Sequence, residues 1–273
     1  MTMENVAPQY ALGSTDAEHE RLIKQAQSLT IHTERCFRDA GIGLGQRVLD
    51  VGSGVGDVAL ILARLVGPTG AVLGVEQDAR SIARARNRVA EAGLHNVSLI
   101  QSDVSQFVTD KLFDAVVGRY ILFFVPHPAS LLRSLFELVR PGGVLAFQEP
   151  DWRSFIERAQ SFPLWAAGAS VMVETFRRSG TNINLGPELS HVFQQAGLPK
   201  PIIRTDVLVG AEEWMPDVLQ SLYPRIKQFN LNVKPLGDFV TLSERLHAEV
   251  AAANAETPLP SLVSAWCRKP ATV

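Results

Sequence analysis

Residues 48–57 read Val-Leu-Asp-Val-Gly-Ser-Gly-Val-Gly-Asp, and this stretch decides the fold of the chain. A short apolar run leads directly into three alternating glycines, and a helical pattern follows from Asp57. Glycine permits the tight turn and the close approach of a ligand to the backbone that a strand–loop–helix site needs. The stretch therefore predicts a ligand site at the carboxyl end of a buried parallel strand.

The alternation of short apolar strands with helical segments continues to about residue 149. The predicted strands are 48–51, 71–75, 97–100, 113–117 and 144–147, and the predicted helices are 57–66, 79–92 and 128–139, with a short turn at 105–110. Continuously apolar runs of this length are typical of a sheet that is covered on both faces. Strand–helix alternation indicates right-handed crossovers. We therefore predict an α/β fold with a doubly wound, parallel sheet.

The segments on either side of this core are predicted to be helical. One apolar stripe indicates a helix over residues 16–40, and aromatic residues at helical spacing follow residue 152. A strand is predicted at 202–209, an irregular helical stretch at 211–255, and a last strand at 262–267. The predicted division is an N-terminal helical arm at 1–45, a ligand-binding core at 46–151, a helical lid insertion with the following core helix at 152–200, and the last two strands with a second helical insertion at 201–273.

Composition excludes several classes of protein. The 273 residues carry 26 basic and 28 acidic side chains, a net charge of −2, which gives no broad basic surface for nucleic acid. Cys36 and Cys267 are far apart and have no partner at metal-ligand spacing, so we predict neither a disulfide framework nor a metal site. No apolar run reaches the ~18 residues of a membrane span, and Met1–Tyr10 lacks the pattern of a signal peptide. We expect a cytoplasmic enzyme, a monomer or homodimer, with no nucleic-acid or membrane partner.

Asp50 determines which ligand the glycine loop favours. The loop has the spacing G-x-G-x-G, whereas the loop that seats a dinucleotide pyrophosphate has G-x-G-x-x-G. A carboxylate two residues before the first glycine would repel a pyrophosphate, by several kcal/mol at low effective dielectric. The same carboxylate would attract an ammonium group. S-adenosylmethionine carries an ammonium and a sulfonium and has no phosphate, so we predict it as the cofactor and disfavour a nicotinamide nucleotide.

Further polar residues end the next three predicted strands. Glu76 follows the second strand, where a carboxylate can accept both ribose hydroxyls. Asp103 ends the third strand and can accept from the adenine amine, although a helix cap is an equally good interpretation. For Glu76, the alternative to a ribose-binding role is that it is a solvated acid in a loop. Arg119 ends the fourth strand, beside the expected sulfonium, which favours a role in the site. The alternative interpretation is that Arg119 forms a structural ion pair.

With these residues the chain resembles the class I S-adenosylmethionine-dependent methyltransferases. Within that class it is similar to the bacterial small-molecule enzymes grouped with the ubiquinone/menaquinone C-methyltransferases and with natural-product tailoring enzymes of secondary metabolism. The resemblance covers residues 46–149 and implies a Rossmann-like, seven-stranded, mostly parallel sheet, whose antiparallel strand residues 262–267 can supply. The predicted cofactor-binding set is Asp50, Gly52, Ser53, Gly54, Gly56, Glu76, Gln77, Asp103, Val104 and Arg119.

The acceptor is expected over the carboxyl ends of the fourth and fifth strands. Glu149 and Asp151 are catalytic candidates as a general base or as groups that orient the acceptor. Arg119 is the third candidate and is expected to fix the carboxylate of the donor or an acid of the pocket. The alternative is that Glu149 caps a chain turn and Asp151 caps the following helix. In-line methyl transfer is accelerated by proximity and orientation alone, so a base is not obligatory. Aromatic residues outside the strands predict a small, apolar or planar acceptor that is methylated on O, N or C, with this substrate-binding set: Tyr10, Tyr120, Phe123, Trp152, Trp165 and Tyr223.

Two other functional classes are alternatives to this prediction. Residues 118–121 read Gly-Arg-Tyr-Ile, without the Asp/Asn-Pro-Pro-Tyr/Phe tetrapeptide of the nucleic-acid amino-methyltransferases, which disfavours that class. The remaining alternative is an enzyme or scaffold that binds S-adenosylmethionine without transferring its methyl group and uses the sulfonium as an electrostatic catalyst of rearrangement or decarboxylation. The donor-site residues alone do not separate binding from transfer.

Overall fold

The computed structural model describes residues 12–210 and 213–271. Its strands are β1 (Arg47–Val51), β2 (Ala71–Glu76), β3 (Val97–Gln101), β4 (Phe113–Arg119), β5 (Val139–Asp151), β6 (Ile202–Asp206) and β7 (Ser261–Arg268). Its helices are α1 (Asp16–Asp39), α2 (Asp57–Val66), α3 (Ala79–Glu91), α4 (Pro128–Glu137), α5 (Trp152–Ala159), α6 (Pro163–Arg178), α7 (Leu185–Gln195), α8 (Trp214–Gln228) and α9 (Leu242–Ala252). Short 3₁₀ turns occupy Val104–Gln106, Leu122–Phe124 and Lys234–Leu236.

The strands form one seven-stranded sheet in the order β3-β2-β1-β4-β5-β7-β6. Strand β7 is antiparallel to both of its neighbours, and the pairs β1–β2, β1–β4, β2–β3 and β4–β5 are parallel. The predicted α/β, doubly wound, seven-stranded and mostly parallel sheet is confirmed. Strand order reverses between β1 and β4, and in such sheets ligands bind at the carboxyl ends of the strands that flank the reversal.

Alternate residues of the strands send their side chains to opposite faces of the sheet, and each face has its own helices. Val48 and Val117 belong to the apolar layer beneath α1 and α2. Leu49 and Val116 belong to the layer beneath α4 and α7. The sheet is therefore covered on both faces, which explains why its central strands are apolar at every position.

Helices α5, α6, α8 and α9 form a separate layer, here called the helical cap. Their apolar side chains share one hydrophobic cluster. Trp165 of α6 is fully buried in that cluster, and its indole N–H donates a hydrogen bond to the carbonyl of Leu246 in α9 at 3.0 Å. The two helical segments that the sequence predicts as separate insertions thus pack into one unit, because neither can bury its apolar face alone.

Helix α1 is paired with α3 near its start and with the edge strand β6 near its end. Near its start, Asp16 is paired with Arg80 of α3 at 2.8 Å. Near its end, Arg35 is paired with Asp206 of the edge strand β6. Thr15 caps the helix by accepting a hydrogen bond from the Glu18 amide at 3.2 Å. The predicted helical arm therefore has both of its ends fixed to the core.

Two predicted boundaries differ from the structure. The strand predicted at 202–209 ends at Asp206, and Val209 makes only an isolated bridge to Pro258. The fifth strand, predicted at 144–147, begins at Val139 and ends at Asp151. Its pairing with β4 shifts register between Val139 and Val144, and within this segment the Gly142 amide donates to the carbonyl of Lys269 at 2.9 Å. None of the helices in the described ranges is both long enough and apolar enough to cross a membrane.

Candidate active site

The glycine loop between β1 and α2 has a left-handed backbone at each of its three glycines. The φ angles are +67° at Gly52, +51° at Gly54 and +88° at Gly56. A Cβ on Gly52 would lie 2.7 Å from the Cδ1 atom of Ile121, which is closer than carbon atoms approach one another. Side chains with a Cβ rarely adopt these backbone angles, so the course of the loop depends on glycine.

Glu76 braces the loop from the end of β2. Its Oε2 atom accepts a hydrogen bond from the Gly54 amide at 3.0 Å, and its Oε1 atom accepts one from the Asp78 amide at 2.9 Å. Burial raises the pKa of the Glu76 carboxyl, and the two amides partly offset that rise. The residue predicted to receive the ribose is thus held at the edge of the glycine loop.

Asp50 lies within β1, with its side chain fully buried. Neither carboxylate oxygen has a hydrogen-bond partner of normal geometry among the described residues. Burial raises the pKa of Asp50 to about 8, while the charge of Arg119 lowers it and the neighbouring acids Asp57 and Glu76 raise it further. A buried acceptor without a partner costs about 1–3 kcal/mol. The ammonium group of S-adenosylmethionine is a partner of the required charge and donor chemistry, so the residues present fit this cofactor.

The other predicted donor-site residues lie around the same strand ends. Asp103 is exposed and accepts hydrogen bonds from the amide and the hydroxyl of Ser105, both at 2.8 Å, which makes it the cap of a 3₁₀ turn. Val104 is half-buried and Gln77 is exposed. Ser53 is buried, and its hydroxyl has no hydrogen-bond partner among the described residues.

Arg119 ends β4 and is half-buried. Its Nη1 atom donates a hydrogen bond to the hydroxyl of Thr33 in α1 at 3.0 Å. Burial lowers the pKa of the Arg119 guanidinium, and Asp57 and Asp50 raise it. The side chain therefore connects the end of β4 with α1 on the face of the sheet that also carries Asp50.

Glu149 is fully buried on β5 and holds the 3₁₀ turn that follows β4. Its carboxylate accepts hydrogen bonds from the amides of Leu122 at 2.8 Å, Ile121 at 3.2 Å and Phe123 at 3.4 Å. Burial raises the pKa of Glu149 to about 8, although the three amides act in the opposite direction. This geometry is the turn-capping arrangement that the sequence leaves open as the alternative to a catalytic role.

Asp151 begins the helical cap. Its carboxylate accepts hydrogen bonds from the amides of Arg153 at 3.0 Å and Ser154 at 3.2 Å, which caps the N-terminus of α5. The side chain remains partly exposed. Because the amides occupy one carboxylate oxygen, Oδ1, the other oxygen is available for a second contact.

Aromatic residues occupy the space directly after β4 and β5. Tyr120 has φ of +58°, and a left-handed backbone is uncommon for a residue with a large side chain. Trp152 is buried, and its ring centroid lies 5.9 Å from that of Trp214 and 5.2 Å from that of Phe176. The indole N–H of Trp152 has no hydrogen-bond partner among the described residues. Phe123, also buried, lies 6.2 Å from the ring of Tyr120.

The remaining predicted acceptor residues are dispersed. Trp165 lies inside the helical cap with its N–H bonded to Leu246. Tyr223 is 38% exposed on α8, and its ring packs on Phe239 at 5.5 Å. Tyr10 lies outside the described residues. The structure therefore brings Tyr120, Phe123 and Trp152 together at the strand ends. Trp165 and Tyr223 lie elsewhere, in the cap.

One side chain at the site is not predicted from the sequence. Thr33 belongs to the apolar stripe of α1, where a single polar residue gives no functional signal. Thr33 meets Arg119 only because α1 packs across β4. Its role depends on a contact between distant parts of the chain.

The two cavities named below lie away from this site, and metal-binding groups are absent from the described ranges. A cavity of about 420 Å³ lies between α3 and β3, and one of about 280 Å³ lies beside α9. Neither is lined by the residues at the ends of β1, β4 or β5. Within residues 12–210 and 213–271, no group of three or more His, Cys, Asp or Glu side chains is placed to hold a metal ion.

The doubly wound sheet, the glycine loop and the unpartnered Asp50 together define an S-adenosylmethionine-binding protein of the Rossmann-like class. The family model described as "Methyltransferase domain" matches residues 43–197. The chain belongs to this family and is an S-adenosylmethionine-dependent methyltransferase of class I.

Curated relatives and solved structures agree with this assignment. The ubiquinone/menaquinone biosynthesis C-methyltransferase UbiE of Pseudomonas aeruginosa strain LESB58 is 35% identical over 174 residues, which cover 59% of this chain and 68% of the relative. A putative methyltransferase from Bacillus halodurans has a TM-score of 0.56 and 16% identity, over 87% of this chain and 98% of that one. The YcgJ protein of Bacillus subtilis has a TM-score of 0.56 and 15% identity, over 90% and 99%. The two structures show the shared fold.

Proposed function

We propose that this enzyme transfers the methyl group to a small, planar and mostly apolar molecule bound between α1, the ends of β4 and β5, and the helical cap. The observation that carries the proposal is the position of the aromatic residues. Tyr120 directly follows β4, and Trp152 directly follows β5 and packs on Trp214 of the cap. Flat apolar surfaces of this kind favour a planar acceptor.

The donor end of the site is assigned to three acids and the glycine loop. Asp50 would receive the ammonium, Glu76 the ribose hydroxyls and Asp103 the adenine amine. The open space where a Cβ of Gly54 would stand leaves room beside the loop. When bound, S-adenosylmethionine supplies an electrophilic methyl group carried on a sulfonium.

The acceptor end carries one unused hydrogen-bond donor. The buried N–H of Trp152 has no partner among the described residues, and such a group costs about 1–3 kcal/mol. An acceptor with an oxygen or another hydrogen-bond acceptor on its rim would remove this cost. This observation supports a planar molecule that has a polar substituent.

Glu149 and Asp151 are assigned to positioning. Glu149 fixes the turn that carries Phe123, and Asp151 fixes the first turn of α5, which carries Trp152. With these carboxylates directed at backbone amides, the proposed acceleration comes mainly from proximity and orientation. The aromatic walls would also exclude water from the reacting atoms.

The names of the curated relatives extend the proposal to the methylated atom. They are C-methyltransferases of ubiquinone/menaquinone biosynthesis, which supports a carbon atom as the acceptor. The net charge of −2 does not favour a nucleic-acid acceptor.

Methyl-labelled S-adenosylmethionine tests this function. The protein is incubated with the labelled donor and cell extract, and the organic-extractable, protein and RNA fractions are counted. For the wild-type protein we expect label in the organic-extractable fraction, and for Asp50→Asn we expect none. Asp114→Asn is the control and should be labelled normally. Asp114 lies on β4, and its carboxylate is paired with Arg140 at 2.5 Å. Label in protein or RNA would contradict the proposed acceptor class, and so would an absence of label in every fraction.

A further inference from the structure

A row of polar side chains crosses the sheet on the face covered by α1. Strand register pairs Arg119 with Gln148, Gln148 with Ser264, and Ser264 with Arg204. Residues paired in this way on neighbouring strands share a face of the sheet. Gln148 and Ser264 are fully buried, so this row lies inside the protein, next to the carboxyl ends of the strands.

Gln148 has one satisfied and one unsatisfied end. Its Nε2 atom donates to the hydroxyl of Ser264 at 2.8 Å, and Ser264 is also hydrogen-bonded to Cys36 of α1. The Oε1 atom is buried and has no hydrogen-bond partner among the described residues. Gln148 is the register neighbour of Arg119, but its Oε1 atom makes no hydrogen bond to the guanidinium.

Thr33 holds the guanidinium of Arg119 from the side of α1. Its hydroxyl accepts the 3.0 Å hydrogen bond from Nη1, and the side chain is fully buried. Thr33 therefore presents an acceptor oxygen to Arg119 from the helix, across the sheet face that also carries Asp50.

Asp50 lies on the same face of the sheet, paired in register with Val117, two residues before Arg119. The charges of Asp50 and Arg119 act on each other, yet no ion pair joins them among the described residues. The Ala59 amide lowers the pKa of Asp50, but neither Asp50 oxygen has a hydrogen-bond partner of normal geometry there. An arginine side chain is long enough to form a bidentate pair with such a carboxylate. That pair would occupy the oxygens that a ligand's ammonium needs.

We propose that Thr33 is a positioning residue that holds the Arg119 guanidinium away from Asp50 and so keeps this carboxylate free for the ammonium of the donor. The inference rests on the proposed donor site. Losing the Thr33 oxygen shifts the balance of Arg119 towards Asp50, and the ligand must then displace a buried ion pair.

Two ligands and one conservative substitution test the proposal. S-adenosylhomocysteine has the amino-acid end of the donor, whereas methylthioadenosine has neither the ammonium nor the carboxylate. Thr33→Val keeps the shape of the side chain and removes its oxygen. By calorimetry we expect affinity for S-adenosylhomocysteine to fall about tenfold, as the loss of one charge-assisted contact implies, and affinity for methylthioadenosine to stay unchanged. Thr33→Ser should restore binding.

Matched variants separate this role from a structural one. Thr30→Val, on the same helix with its hydroxyl bonded to the Ala26 carbonyl at 2.8 Å, should leave both affinities unchanged. Thr33→Ala, which removes the same oxygen, should repeat the pattern of Thr33→Val and serves where that variant does not fold. In an Arg119→Met background, Thr33→Val should have no further effect.

Three results would overturn the inference: unchanged affinity of Thr33→Val for S-adenosylhomocysteine, equal losses for both ligands, or a loss that persists without Arg119. Failure of the donor site itself gives a different result, because the wild-type protein would then bind neither ligand.

Discussion

The carboxylate of Glu149 accepts a hydrogen bond from the amide of Leu122 at 2.8 Å, across 27 positions of sequence. This contact joins the end of β5 to the turn after β4, so the two strand ends that face the proposed acceptor form one unit. Glu149, which the sequence offers as a catalytic candidate, therefore holds the backbone of the site.

Glu149→Gln should reduce the pH dependence of stability. Because burial raises the pKa of Glu149 to about 8, the folded protein retains a proton that the unfolded chain releases near the usual pKa of ~4.5. Stability from this group is therefore complete below pH 4.5 and is lost progressively as pH rises to about 8. We expect the fall in Tm between pH 5 and pH 8 to be smaller in the variant by at least about 3 °C. The remaining slope is assigned to Asp50, whose pKa is raised in the same direction.

Glu137→Gln is the control for that measurement. Glu137 is 77% exposed on α4, and its carboxylate lies 3.9 Å from Lys269. Its Tm profile should follow the wild type, and an unchanged slope in Glu149→Gln would contradict the effect assigned to burial.

Asp50→Asn should stabilise the fold and weaken donor binding. At pH 9 the buried carboxylate is ionised and has no hydrogen-bond partner, so its replacement by an amide should raise the free energy of unfolding by about 1–3 kcal/mol. Calorimetry at pH 8 should show affinity for S-adenosylhomocysteine reduced by about 100-fold, since a charge-assisted contact is lost. Asp114→Asn should show the reverse, a lower Tm and normal affinity. Retained affinity in Asp50→Asn would remove the basis of the ammonium assignment.

Gly54→Ala and Gly93→Ala should introduce similar backbone strain, one in the glycine loop and one away from it. Both glycines have a left-handed φ, +51° and +64°, and a Cβ on either would meet no atom within 4 Å. Each substitution should cost about 1 kcal/mol of stability through the backbone alone. Only Gly54→Ala should weaken the binding of methylthioadenosine, because its methyl group enters the proposed ligand site. Similar binding in the two variants would place the ligand elsewhere.

Trp152→Phe and Trp165→Phe distinguish a wall of the acceptor site from the core of the cap. Trp152 has an unpartnered N–H, whereas the N–H of Trp165 is bonded to Leu246. We expect Trp152→Phe to lose less stability than Trp165→Phe, because no hydrogen bond is broken, and to raise KM for the acceptor. Trp165→Phe should lose about 2–3 kcal/mol of stability through the hydrogen bond and the space left behind, with KM unchanged. Kinetics and thermal unfolding of both variants decide the matter, and an exchange of these two outcomes would refute the assignment.

The first half of the fold could be predicted because its signals are local. The helix predicted at 57–66 coincides with α2, and the strands at 48–51 and 71–75 differ from β1 and β2 by one residue each. Glycines, apolar runs and helix caps act over a few positions, so the sequence near each element is sufficient. Asp50 could be singled out for the same reason, since it adjoins the glycine loop.

The geometry of the site depends on distant contacts that local patterns do not contain. Glu149 meets amides 26–28 positions away, and Arg119 meets Thr33 across 86 positions. The sequence predicts capping as an alternative role for Glu149 and Asp151, but it does not identify the amides that Glu149 binds. The packing of the two helical insertions into one cap was also beyond local analysis, because apolar stripes identify a buried face without identifying what covers it.

The pairing of α1 with β6 has a consequence for the order of folding. Arg35 and its partner Asp206 are 171 positions apart, so α1 is synthesised early and acquires this contact only when β6 has been made. Closing so long a loop carries an entropic cost that late-forming contacts must offset. The contacts of α1 with α2 and α3 instead join parts of the chain that are all synthesised early. On the ribosome, α1, the glycine loop and β1–β5 can therefore assemble first, and a nascent chain should acquire the donor site before α1 is tied to β6.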